Sequence, residues 1–342
     1  MITSIPCSRP PSSVPWLGPV ALVVLSLGAC TKEAPRDSAA AADSAAATVQ
    51  PRRFATPQTA VAALVQAAEH FDRPALLEIL GSEGRPLVSS PDSVMDRKLA
   101  VEFAGKARAR QRIELDSSGE IATLAVGTSD WPLPIPIVKQ DSSWYFDAEA
   151  GAHEILLRRI GRNELDAIDM CQGYVQAQRE YASTRHDGSR LNQYAQRIIS
   201  TPGKRDGLAW RAADGTWEGP VGEGVARAIA EGHRERYEPV HGYYFKVLKG
   251  QGPAAPMGEM DFLVDGAMIG GFALVAAPAE YLVTGVKTFI VSHNGIVYEQ
   301  DLGPGTLQRF SSMDVYNPDS SWTPVTPTEE YTQSASTTSM RP

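Results

Sequence analysis

The sequence predicts an α+β fold made of two successive domains, each with its helix or helices ahead of an antiparallel sheet on which they pack. Three observations carry this expectation. Apolar residues recur at helical spacing over residues 57–80. Residues 113–146 then switch to the two-residue alternation of half-buried strands, punctuated by turn residues. After residue 150 the same order returns, a long helical stretch followed by a strand-rich last third. Helices gathered ahead of strands, rather than alternating with them, favour α+β over a parallel sheet.

In the first half, Thr56 is a suitable N-cap and Pro57 fits the first helical position, ahead of Val61, Leu64, Val65 and Ala68. Asp72-Arg-Pro restarts a helix through Leu76, Leu77 and Leu80, and Gly81 ends it. A third helix is expected over 92–109, with Asp96, Arg97, Lys98, Glu102 and Lys106 on a solvated face. Strands follow at Ile113 and Leu115, then at Ile121 and, less regularly, Leu124 and Val126, turned at Ser118-Gly119. Residues 135–139 and 144–146 add two more, joined at Gln140-Asp141, after a proline-rich extended run.

The second half opens with a helical stretch over 149–181, in which Gly151 and Gly161 are expected to be dividers and Asn163 a cap. Its apolar stripe is Ile160, Leu165, Ile168, Cys171, Tyr174, Val175 and Tyr181. A loop-rich region over 183–219 precedes a short helix near 224–231. Strands are then expected at 242–248, at 268–276 after an Asp265-Gly266 turn, and at 287–292 and 295–300, joined at Asn294-Gly295.

The two ends read differently. Residues 16–27 are apolar but too short for a helix to span ~30 Å of hydrocarbon. With Arg9 upstream and small residues before Cys30, they make a secretory pattern. Leu27-Gly28-Ala29-Cys30 resembles the bacterial lipobox, in which the cysteine thiol is alkylated by a diacylglyceryl group and the chain is cut before it. That resemblance implies lipidation of Cys30 and a membrane attachment. Thr31 rather than Asp after the cysteine implies the outer membrane, facing the periplasm. The expected division is therefore signal peptide 1–29, disordered Ala/Ser/Asp-rich tether 30–52, first domain 53–150, second domain 151–322 and disordered tail 323–342.

Composition limits function. The net charge is −8 with no basic stripe, so nucleic acid is not an expected partner. Of three cysteines, Cys7 lies in the signal and Cys30 is lipidated, which leaves Cys171 alone and a disulfide framework excluded. On its apolar stripe Cys171 reads as a buried thiol. The six histidines show no zinc spacing, and no cofactor or metal is expected. His186-Asp187-Gly188 lacks the acids of a calcium loop and reads as a turn. Glu164, Asp166 and Asp169 suit a helix N-terminus. The most unusual polar loop is Ser200-Thr-Pro-Gly-Lys-Arg-Asp-Gly. With Trp210 and Trp217 nearby, its Lys204, Arg205 and Asp206 could form a contact lip. Trp131 and Trp144 are expected around a pocket in the first domain or at the domain junction, and His241 is a further candidate contact.

Several segments together resemble one family. They are Trp131-Pro-Leu-Pro-Ile-Pro, Ile160-Gly-Arg-Asn-Glu, Tyr174-Val-Gln-Ala-Gln-Arg-Glu-Tyr-Ala, Ser200-Thr-Pro-Gly-Lys-Arg-Asp-Gly-Leu, His241-Gly-Tyr-Tyr-Phe, Met268-Ile-Gly-Gly-Phe-Ala-Leu-Val-Ala and Gly295-Ile-Val-Tyr-Glu-Gln-Asp-Leu-Gly. Their order and spacing match the bacterial domain-of-unknown-function family 2950, which implies a class and an address but no mechanism. The first half also resembles cystatin-like or nuclear-transport-factor-like domains in pattern. The second is similar to pilin-like globular domains through Glu180-Tyr-Ala, His241-Gly-Tyr-Tyr-Phe, Ala277-Pro-Ala-Glu-Tyr and Asn294-Gly-Ile-Val. The expected function is a lipid-anchored, non-enzymatic binding or scaffolding module that meets an envelope protein or the cell wall. A periplasmic small-ligand binder is the alternative, and an enzyme of unrecognised kind a third.

Overall fold

A computed structural model describes residues 49–222 and 239–326. The expected signal, the expected lipidation site Cys30, the expected helix near 224–231 and most of the expected tail lie outside these residues. The chain is already engaged at Val49, whose carbonyl accepts from the Ser82 amide at 2.8 Å, and Arg52 N donates to Glu78 at 3.0 Å. The fold thus begins a few residues before Arg53.

The α+β class holds, with six helices among the described residues and antiparallel main sheets. Helix α1 (Pro57–His70) starts as expected: Thr56 Oγ1 accepts from Thr59 N, and Thr59 Oγ1 accepts in return from Thr56 N, both at 3.2 Å. Asp72 caps α2 (Arg73–Leu80), a short 3-10 turn leads to α3 (Arg85–Val88), and Asp92 caps α4 (Ser93–Ala109). These helices cover a sheet of β1 (Gln111–Leu115), β2 (Ile121–Val126), β3 (Trp131–Pro132), β4 (Ile137–Gln140) and β5 (Ser143–Phe146). Its order is β1-β2-β4-β5, with β3 on the second half of β2. Ala122, Leu124 and Val126 face the helices, so Ile121 points outward and is 42 % exposed, a phase opposite to the one expected from Ile121. The chain turns between β4 and β5 through Asp141 and Ser142, both at positive φ, as a two-residue hairpin requires.

Helix α5 (Ala148–Tyr181) runs unbroken for 34 residues and belongs to both hydrophobic cores. Residue 150, the expected domain boundary, lies in its first turn. Neither glycine divides it. A Cβ on Gly151 would lie 2.8 Å from Ile135 Cγ1, so this glycine serves the close approach of the helix to the strand entrance, while Gly161 has open space around it. Asn163 does not cap a second helix but reaches the Thr284 carbonyl at 2.8 Å.

The second core lies around a five-stranded antiparallel sheet, ordered β18-β16-β15-β14-β9. Its strands are β9 (Tyr243–Leu248), β14 (Ala273–Pro278), β15 (Lys287–Ser292), β16 (Val297–Asp301) and β18 (Thr323–Pro324). Helix α5 covers one face. Helix α6 (Thr306–Ser312) and the small sheet of β10 (Gly250–Gln251), β11 (Met260–Asp261) and β17 (Val315–Tyr316) cover the other. Every residue of β14 is consequently buried, which explains its continuous apolar run. The strand expected over 268–276 is two strands. Ala267–Met268 (β13) pairs with Leu263–Val264 (β12) through the Asp265-Gly266 turn, and Gly270 and Gly271 separate β13 from β14. The β15–β16 connection spans residues 293–296, longer than a two-residue turn. Pairing of β18 with β16 extends the fold past Trp322, the expected last residue of the second domain.

Candidate functional site

The end of α5 and the loops after it make a cluster of rings and charges. Tyr181 closes the helix and donates its hydroxyl hydrogen bond to the Arg205 carbonyl. His186 stacks on the Tyr181 ring at 3.9 Å with 16° between planes, and its Nε2 lies 3.0 Å from the Tyr181 carbonyl. The same nitrogen lies 3.1 Å from Thr184 Oγ1. The Asp187-Gly188 turn that follows is closed by Ser189 N donating to His186 O at 2.9 Å, which is the turn reading of that segment.

Loop 200–206 is stitched to this turn. Arg205 N donates to Asp187 Oδ2 at 2.7 Å. Asp206 accepts from the amide and the hydroxyl of Thr201, both at 2.7 Å, with Arg197 Nε at 3.8 Å. The Arg205 guanidinium lies 5.1 Å from the Trp210 ring centre. It also reaches Glu218 at 3.5 Å, and Glu218 accepts from Trp210 Nε1 at 2.9 Å. Trp210 and Glu218 come from β7 (Gly207–Arg211) and β8 (Trp217–Glu218), which with β6 (Arg197–Ile199) form a small sheet. Arg211 covers Trp217 at 4.4 Å. Lys204 is exposed beside Arg205. The loop residues Lys204, Arg205 and Asp206 and the indole of Trp210 are therefore brought together.

Electrostatics follow the geometry. Burial, with the nearby Asp187 and Asp206 carboxylates, pushes the Tyr181 hydroxyl up to about 12. Burial works against the charged form of Asp206, but the Thr201 hydrogen bonds and Arg197 outweigh it and hold the carboxyl below its usual range. A value lower in the folded than in the unfolded chain stabilises the fold above the unfolded value and is lost as pH falls through the folded one. The Trp210 emission of the folded protein is accordingly expected to be constant from pH 7 to 5 and to change only below about 4, the ordinary Asp range. Asp206→Asn should show the change already at neutral pH; an unaltered spectrum in that variant would refute the clamp.

The remaining candidates separate. Trp144 is in the first core, where its backbone exchanges two 2.8 Å hydrogen bonds with Phe54. Trp131 is 46 % exposed, with the Arg158 guanidinium 5.5 Å from its ring. The two indoles thus differ in role, one apolar filling and one surface. His241 sits at positive φ in a tight turn with Gly242, and its Nδ1 is 3.0 Å from Asp166 Oδ2. Glu164 accepts from Val286 N and Lys287 N at 2.8 and 3.0 Å. Because α5 begins at Ala148, Glu164 and Asp166 lie mid-helix, so they hold loops of the sheet instead of complementing a helix terminus. Cys171 is fully buried, and burial pushes its thiol up to about 12, leaving it protonated. Among the described residues no group of three or more His, Cys, Asp and Glu could hold a metal ion, and no helix is long and apolar enough to cross a membrane.

Sequence reasoning missed Tyr181, His186, Asp187 and Glu218. Tyr181 read as part of the helix stripe, and His186-Asp187 was weighed only as a cation loop. The usable signal was the clustering of aromatic and charged residues on both sides of the Lys204-Arg205-Asp206 loop.

These features define an α+β protein with a loop-built surface of stacked rings and cations at the end of its long helix. The chain belongs to the family described as protein of unknown function DUF2950, whose model matches residues 51–325. No curated protein and no solved structure matches it.

Proposed function

We propose that this protein is a lipid-anchored binding module of the bacterial envelope, held on the periplasmic side of the outer membrane through Cys30, and that it works by contact rather than catalysis. The observation that carries the contact reading is the Tyr181–His186–Arg205–Trp210–Glu218 cluster. Its side chains are positioned by one another and by the backbone, and its loops stand at the surface on a rigid helix and sheet. Pre-ordered rings and guanidinium groups lose little entropy when a partner docks. The Leu-Gly-Ala-Cys motif supports the address. The two halves serve as scaffolds, the second in the manner of a pilin-like globular domain detached from any fibre.

Cys30→Ser is expected to abolish palmitate incorporation and to release the protein from membranes. Unchanged labelling and fractionation of that variant would remove the anchor from the proposal. For the contact surface, a photo-crosslinking residue at Lys204 is expected to give a specific adduct in intact cells, and none at Lys98 on the first core.

A further inference from the structure

We infer that the surface around Arg205 binds an acidic glycan, a sugar chain bearing carboxylates such as those of wall peptides. This inference rests on the envelope-binding reading and names its ligand.

The first argument is charge. Residues 183–219 carry six Lys and Arg against four Asp and Glu, whereas the whole chain has 32 against 40. The sign of the charge is reversed where the loops gather. The second argument is how those charges are used. All four acids are engaged within the cluster. Asp187 accepts from Arg205 N, Asp206 from Thr201, Asp214 from Thr216 N and Oγ1, and Glu218 from Trp210 and Arg205. Arg197 is drawn to Asp206, and Arg211 donates to the Gly215 carbonyl at 2.7 Å. Arg185, Arg190 and Lys204 are exposed and make no side-chain hydrogen bond or ion pair among the described residues. The loops that carry these three are tied by the Asp187–Arg205 and Tyr181–Arg205 hydrogen bonds. Their charge is thus not neutralised among the described residues. Guanidinium groups match carboxylates in shape and charge, and several cations of one sign raise the local concentration of an anionic ligand.

The third argument selects a glycan among anions. Trp210 is half-buried with the Arg205 guanidinium against its ring, whereas Trp217, paired with Arg211, lies on the other face of the β7–β8 hairpin. An indole at a surface offers a large rigid plate with an apolar body. The C–H face of a pyranose fits such a plate, and its carboxylate substituents then fall beside the flanking cations. A simple anion would need the charges alone.

The test is retention of the purified full chain, its acyl group held in neutral detergent, on three supports. These are wall sacculi stripped of bound protein, chitin as a neutral glycan, and phosphatidylglycerol vesicles. Retention is expected on sacculi, less on the other two, and falling as salt rises. Arg190→Glu with Lys204→Glu is expected to reduce retention about tenfold. Lys98→Glu with Lys139→Glu, the same charge change at exposed sites of the first core, is expected to leave it within about twofold. No retention on sacculi, equal retention on chitin or vesicles, or an equal loss in both double variants would overturn the inference. A specific protein adduct at Lys204 without sacculus binding would leave the envelope-binding reading standing and remove only the glycan. Absence of both would remove the two together.

Discussion

Gln178→Leu is expected to destabilise the protein by about 2–5 kcal/mol, although leucine matches glutamine closely in volume. Gln178 lies on α5 and is fully buried. Its Oε1 accepts from Ala195 N at 2.8 Å, and its Nε2 donates to Ala195 O at 2.8 Å and to Tyr174 Oη at 2.9 Å. The amide thus imitates a strand neighbour for a residue that has none, and Ala195 is itself fully buried. Leucine leaves one backbone donor and one acceptor without partners inside the fold, and each such orphan costs about 1–3 kcal/mol. Tyr174 loses a donor as well, while its own bond to Ala273 O at 3.3 Å remains. Urea unfolding followed by circular dichroism measures the loss, and an unchanged denaturant slope would assign it to the native state. A loss below about 1 kcal/mol would mean that water or another group satisfies Ala195. The variant also tests the proposed contact surface, because Ala195 leads into β6 and from there into loop 200–206. Retention on sacculi is expected to fall with it.

The sequence made the first core legible because its signals are local. Thr56-Pro57, Asp72 and Asp92 each fix a helix start through bonds to amides within three residues, and the Gln140-Asp141 hairpin needs only its own turn. In the second core the decisive contacts connect distant residues. Glu164 and Val286, Asn163 and Thr284, and Gln178 and Ala195 meet only once the sheet has formed. Polar residues on α5 therefore read as helix-end chemistry, although they anchor loops. The same reason explains why only part of the ring-and-charge cluster is legible in the sequence. Lys204, Arg205, Asp206 and Trp210 are neighbours in sequence and were found together. Tyr181 and His186 come to them through the fold. Trp144 illustrates the converse: an aromatic residue in a strand is apolar filling on one face and a surface plate on the other, and the choice depends on register. Ile121 shows how small the margin is, since it lies out of phase with Leu124 and Val126, and the residue that continues their inward phase, Ala122, has only a methyl to signal it.

Gly285→Ala is expected to cost about 3 kcal/mol, at the upper end for overpacking by one methyl. A Cβ at this position would stand 2.2 Å from Tyr243 Oη, 2.7 Å from Cζ and 2.8 Å from Cε2. The added carbon therefore meets the end of a rigid ring. Tyr243 is fully buried, with its ring centre 5.9 Å from that of Phe289 and its hydroxyl donating to Lys287 O at 2.9 Å. Burial, reinforced by the Glu164 carboxylate, holds that hydroxyl well above its ordinary value, so it remains a donor throughout the accessible pH range. To admit the methyl, the ring must leave this seat or the 284–287 segment must move, and that segment holds α5 through Asn163 and Glu164. A double-variant cycle with Tyr243→Leu separates the collision from general damage. Removing the ring alone leaves a cavity, expected to cost about 3–5 kcal/mol. With the ring absent, however, the alanine methyl enters space that the ring had filled. The two substitutions together are therefore expected to cost at least about 1 kcal/mol less than the sum of each alone. Strict additivity would show that Gly285 matters for a reason other than the Tyr243 contact. Retention on sacculi by the folded fraction of Gly285→Ala gives a second reading, since α5 joins this latch to Tyr181 and to the loops it supports. If α5 acts as a rigid strut, loosening it at Glu164 weakens binding more than the lost folded fraction accounts for; if the surface depends only on its own loops, binding per folded molecule stays constant.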